Sequence, residues 1–323
     1  MLRRRTALAA LPALALPAVL AACAPTDDGG SDGTLEVLAS YYPLQYVAEQ
    51  VGGDLVSVSN LTPPAAEPHD LELSPAQVRE IGTADLVVYS SGFQTAVDEA
   101  VDTQSPEHVV DTSDVVTLEA HPGTPEDVVA AEDEGDGHDH ASGHGDEAAV
   151  DPHFWLDPTR LVDVGHAVAA QLGDVDPEHA AVYADNADAL AASLTDLDGQ
   201  FSAGLKECAT RTLVTSHAAF GYLAERYDLE QIGIVGLDPE AEPSPARLRE
   251  VGDIVEENDV DTIFTETLTS PKVADTLAKD IGVQTAVLDP LEGLSKDAAA
   301  SGADYVSVMQ DNLAALTEGL QCS

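Results

Sequence analysis

The chain has 323 residues, 44% of them hydrophobic, enough to build two domains with real cores. Its 59 acidic residues against 13 basic ones leave a formal charge of −46. A surface of that sign repels a phosphate backbone and excludes nucleic acid as a partner; it serves solubility first, and it also concentrates cations.

In chain order, the first element is a targeting segment. Arg3, Arg4 and Arg5 form a basic n-region, and Ala7 to Ala22 form an apolar, small-residue stretch. That stretch contains Pro12 and Pro17 and is short for a membrane span. It ends in Leu20-Ala21-Ala22-Cys23, which resembles a bacterial lipobox. That resemblance implies a signal peptide over 1–22, cleavage before Cys23, a lipid on that cysteine and a polar tether over 23–33. The expected location is the cell envelope, lipid-anchored on the outer face of the membrane. In an oxidising compartment the remaining pair, Cys208 and Cys322, reads as a disulfide.

Beyond the tether, short β-rich runs alternate with helical stretches. Strands are predicted at 35–40, 55–61, 85–90 and 108–113, with helices in "PLQYVAEQVG" and "SPAQVREIGTA"; Ser74 caps the second and Pro75 opens it. A second set of strands is predicted at 211–217, 229–235, 260–266 and 283–289, separated by "SPARLREVGDIVEEN" and "SPKVADTLAKDIG". Strand–helix–strand alternation implies parallel sheets flanked by helices. The predicted class is therefore α/β, with an N-terminal lobe over 34–175 and a C-terminal lobe over 208–323.

One long rigid helix over 176–207 is expected to join them. It opens on an Asp176 cap and Pro177, and Tyr183, Leu190, Leu194, Leu197, Phe201 and Leu205 form its apolar stripe. Within the first lobe, a loop at about 119–149 is acidic and low in complexity. Its histidines His138, His140 and His144 suit an auxiliary collector of metal ions, against the plainer reading of a solvated spacer.

The chemistry concentrates at strand ends. "DPHFWLDP", Asp151 to Pro158, holds His153 between two Asp-Pro pairs beside the only tryptophan. Each proline fixes its own φ and restricts the residue before it, so the imidazole is rigidly held. Alone, such a histidine reads equally well as a packed structural residue or a ligand. His69 follows the second strand behind Pro68, His217 ends the first strand of the second lobe, and Asp289 ends that lobe's last strand. Ligands of open α/β sheets sit outside the carboxyl ends of strands. Three imidazoles and one carboxylate brought together there make a four-coordinate zinc set.

The motifs "EPHDLELSP", "DPHFWLDP", "SHAAFGYLAERYDL" and "LDPLEG" resemble those of the zinc/manganese-binding lipoproteins of ABC transporters. The similarity covers nearly all the mature chain. It implies a binding protein, not an enzyme, with one metal at the interface of two lobes and an ABC permease as partner. It places the ligands at His69, His153, His217 and Asp289, with Glu67 as a further carboxylate nearby. Manganese-binding members tend to carry glutamate at the third position, so His217 points to Zn2+ as the cargo. The alternatives are a manganese or iron carrier of the same family and a zinc-dependent hydrolase; no HExxH helix supports the latter.

Overall fold

The protein is described here by a computed structural model covering residues 33–121 and 150–323. The targeting segment with Cys23, and the loop with His138, His140 and His144, lie outside those residues.

All eight predicted strands form, each trimmed at its ends. β1 (Leu35–Ala39), β2 (Val56–Asn60), β3 (Leu86–Tyr89) and β4 (Val109–Asp111) make a parallel sheet of order β2-β1-β3-β4. β5 (Thr212–Thr215), β6 (Glu230–Gly233), β7 (Thr262–Thr265) and β8 (Gln284–Val287) repeat that pattern as β6-β5-β7-β8. Side chains alternate across each sheet as a strand requires. Leu86 and Val88 face the large central core, whereas Val87 faces a smaller cluster with Ile81, Val97 and Val101. Leu213 and Val214 part in the same way in the second sheet. Both faces of both sheets are therefore covered, as parallel sheets demand.

The predicted Ser74 cap is in place, and a second serine cap stands at Ser244. Ser74 and Gln77 form a reciprocal capping box on the Pro75–Ile81 helix, and Ser244 caps Pro245–Glu257 through the Arg247 amide. The connector differs from its expectation at the start. Its helix runs Ala180–Gly204, because the Asp176 carboxylate is turned to His179 Nδ1 (2.6 Å) and the Tyr183 hydroxyl (3.1 Å) instead of capping. A turn at 176–179 separates it from a further helix, Pro158–Val175, against which it packs.

The expected stripe is buried: Tyr183, Leu190, Leu194, Leu197 and Phe201 all face the core. Burying each such leucine or phenylalanine contributes about 1.5–3 kcal/mol. Toward its start the helix grips the first lobe, where Asn186 donates to the Val51 carbonyl. Toward its end it grips the second, through Arg226 to Asp198 and through Gly204 lying against Leu313. One apolar cluster runs from Val37 through this stripe to Leu213, Phe264 and Leu288. The lobes are thus fused through a shared core, which holds their facing strand ends in register.

Cys208 and Cys322 are disulfide-bonded, and their backbones pair as an isolated antiparallel bridge. The bond ties the C-terminal tail to the end of the connector across a sequence separation of 114. The chain-entropy model gives at most roughly 4–5 kcal/mol for closing so long a loop. Reduction should lower the denaturation midpoint by a shift within that limit. Two free thiols found by mass spectrometry in the exported protein would refute the bond.

Candidate metal centre

Each histidine is delivered to the junction by its own local device. His153 sits in a tight frame: Asp151 Oδ1 accepts from the His153 amide at 2.9 Å and lies 2.7 Å from His153 Nδ1. The second Asp-Pro pair of that motif starts the next helix, with Asp157 capping through the Thr159 amide and Pro158 at its first position. Between the pairs, Trp155 Nε1 donates to the Pro290 carbonyl of the other lobe at 2.7 Å, and Tyr305 donates to the Trp155 carbonyl. The rigid frame therefore docks His153 directly onto the loop after β8.

His217 follows β5, and its amide donates to Glu266 Oε1 at 3.1 Å at the end of β7. Its Nδ1 lies 2.7 Å from the same oxygen, with angles too poor for a hydrogen bond. His69 lies in the loop after β2. Its amide donates to Glu67, Gln94 fixes the Pro68 carbonyl, and Phe93 packs edge-on to the ring with centroids 4.8 Å apart.

The three Nε2 atoms converge on one carboxylate oxygen, Glu292 Oε1, at 3.1 Å from His69, 2.9 Å from His153 and 3.3 Å from His217. Those separations are close to the ~3.3 Å edge of a tetrahedron with bonds of about 2.0 Å to a central ion. The four donor atoms lie within 4.8 Å of one another, and His153, His217 and Glu292 are fully buried. The other Glu292 oxygen has no hydrogen-bond partner although it is buried.

Asp289 does not join this group, contrary to the sequence expectation. Its carboxylate accepts from the Leu291 amide and the Thr267 hydroxyl, both at 2.8 Å, and Asn312 clamps its backbone from both sides. These bonds close a turn in which Leu291 adopts a left-handed φ of 58°, and that turn swings Glu292 inward. Asp289 builds the loop, and Glu292 is the carboxylate that meets the three imidazoles. Glu67 stands at the edge, with Oε1 buried, unpartnered and 3.9 Å from His69 Nε2.

The electrostatics follow the same geometry. Burial pushes the Glu292 carboxyl up, but bonds from three imidazoles outweigh it and hold it well below the usual carboxylate range. Burial pushes His69 down. Burial likewise disfavours charge on His153 and His217, yet Asp151 and Glu292 raise the first, and Glu266 and Glu292 lift the second to about 10. Burial, helped by the neighbouring Glu292 charge, lifts Glu67 to about 8.

A crevice of about 130 Å³ lined by Thr62, Pro63, Pro64, Glu292 and Gly293 leads to the site. Matched α/β lobes enclosing three histidines and one carboxylate define the class: a two-lobed binding protein with a donor set for one metal ion.

The chain belongs to the family described as ZnuA, zinc-uptake complex component A, periplasmic, whose model matches residues 37–319. It is 38% identical over 293 residues to the zinc-binding lipoprotein AdcA of Streptococcus pneumoniae, covering 89% of this chain but 56% of that protein. It is 35% identical over 307 residues to the high-affinity zinc uptake system protein ZnuA of Bacillus subtilis, covering 94% of each. The crystal structure of the Zn(II)-bound ZnuA-like domain of Streptococcus pneumoniae AdcA superposes with a TM-score of 0.72 at 33% identity, over 89% of this chain and 99% of that one.

Proposed function

We propose that this chain captures Zn2+ between its two lobes outside the cytoplasm and passes it to an ABC permease for uptake. The observation that carries the reading is the convergence of His69, His153 and His217 Nε2 on the Glu292 carboxylate. Imidazole is a borderline donor that suits zinc, whereas manganese is better served by oxygen. Four protein donors also fill a tetrahedral shell, whereas a hydrolytic zinc needs a fourth position open for water. Relatives named as zinc-binding and zinc-uptake proteins, one of them in a Zn(II)-bound structure, support the same reading.

Calorimetry on chelator-stripped protein should show one tight zinc equivalent and much weaker manganese binding. Tight manganese with weak zinc would overturn the metal assignment. The lipobox supports an anchor on Cys23, and no helix among the described residues is long and apolar enough to cross a membrane. The Cys23→Ser chain should then leave the detergent phase, and persistent partitioning would count against the anchor.

A further inference from the structure

The carboxylate that orients His153 is itself held by a second imidazole, whose far side meets the other lobe. Asp151 Oδ1 faces His153 Nδ1, while Asp151 Oδ2 lies 2.9 Å from His121 Nδ1. The far side of that imidazole, Nε2, lies 3.2 Å from Glu225 Oε2, on the Gly221–Arg226 helix of the second lobe. The backbone repeats the link. Asp151 donates to the Glu119 carbonyl, and Tyr222 of the second lobe donates to the Asp151 carbonyl while accepting from the Glu119 amide.

Gly221 makes the approach possible. A Cβ there would sit 2.5 Å from the His121 ring and 2.6 Å from Asp151 Oδ2, closer than real Cβ contacts come. The His121 ring packs edge-on against the Tyr222 ring with centroids 4.3 Å apart, and the Arg160 guanidinium lies over the Tyr222 ring at 4.5 Å. Glu119, His121 and Glu225 could also be read as a second set of metal donors. Arg160 argues against that: its guanidinium already holds Glu119 at 2.8 Å and lies 3.9 Å from Glu225, putting a positive charge where an ion would sit.

We propose that His121 and Glu225 are positioning residues which, acting through Asp151, hold His153 aimed at the metal and so slow its escape. The inference rests on the metal reading above. Zinc on Nε2 requires the His153 proton on Nδ1, donated to Asp151, and such partners of a ligand orient it and strengthen its hold. Here that partner is fixed only while the lobes are in contact. Loss of the Glu225 contact leaves the His121 ring held on one side only, and so loosens Asp151 and the aim of His153. Retention of the ion is thereby tied to lobe contact through a chain of four side chains.

The test is zinc transfer from loaded protein to excess chelator, followed in time, with the metal-free melting temperature measured alongside. Loss of a ligand's partner costs 10–100-fold, so groups one step further out should cost less. His121→Ala should speed release roughly three- to ten-fold, with association and the single zinc equivalent unchanged. Glu225→Gln, at a half-exposed position that leaves folding intact, should speed it less. The double variant should be no faster than His121→Ala alone, because both act through one chain.

Unchanged release in both variants overturns the proposal, and so do additive effects in the double variant. Loss of a second zinc equivalent in His121→Ala overturns it too, making these groups ligands. A change in melting temperature without a change in release leaves a purely structural role and also overturns it. Failure of the wild type to take up zinc would be seen before any variant and would defeat the metal reading itself.

Discussion

Glu292→Gln should weaken zinc binding by about 10²–10³-fold, whereas Asp289→Asn should cost no more than about tenfold. The first figure follows from the free energy of a four-donor zinc site, about 10–16 kcal/mol, of which one donor carries roughly a quarter. The second follows from position. Asp289 bonds the Leu291 amide and the Thr267 hydroxyl, so its loss disturbs the turn that carries Glu292 but removes no donor. Its larger effect should be on stability, about 1–3 kcal/mol, because a buried amide and hydroxyl lose a charged acceptor. Competition titration against a chelator of known affinity measures both. If the Asp289 variant loses zinc and the Glu292 variant keeps it, the ligand set inferred from the sequence is restored.

The contrast between these two residues shows what is legible in a sequence of this kind. The eight strands and the three histidines can be read from pattern, because β-rich runs mark strands, His69 and His153 each follow a proline, and His217 ends a predicted strand. The fourth donor cannot be read in that way. A strand-end rule selects Asp289, the last residue of the predicted strand, and Glu292 lies beyond a turn whose left-handed residue is Leu291, not glycine. No spacing rule reports that reversal. The long connector is legible as a stripe, but its start is not, since Asp176 makes equally plausible bonds to His179 and Tyr183.

The residues that support the ligands are hidden for a different reason. Asp151 stands within a conspicuous motif, yet nothing in that motif says that its two oxygens serve two histidines. Glu266 ends a predicted strand without any local sign that it faces His217. His121 borders a low-complexity stretch and reads as part of it. Asp151 reaches His121 across 30 residues, Glu266 reaches His217 across 49 and His121 reaches Glu225 across 104, so the folded chain and not the local sequence creates these contacts.

Zinc uptake should release at least one proton at neutral pH, so affinity should climb about tenfold or more per pH unit through that range. A bound ion needs neutral imidazoles and an ionised carboxylate. Glu292 is already ionised in the metal-free protein, because three imidazoles hold it well below the usual range despite its burial. His69 is already neutral, because burial pushes it down from the ordinary 6.5. His217 is raised to about 10 by Glu266 and Glu292, so it gives up a proton when zinc arrives, and Asp151 and Glu292 raise His153 in the same direction. Each proton contributes about tenfold per pH unit while it is still bound in the metal-free state. The metal-free protein should respond in the opposite sense. The His217 contribution to folding is complete below its unfolded value of about 6.5 and disappears as pH rises through about 10, so the metal-free melting temperature should fall across that window from this group. In the zinc-loaded protein the rising affinity offsets that loss, so its stability stays level over the same window. The gap between loaded and stripped melting temperatures should therefore widen from pH 6 to 9. Calorimetry in buffers of different ionisation enthalpy counts the protons directly, and a count of zero would mean that His153 and His217 are neutral before the metal binds.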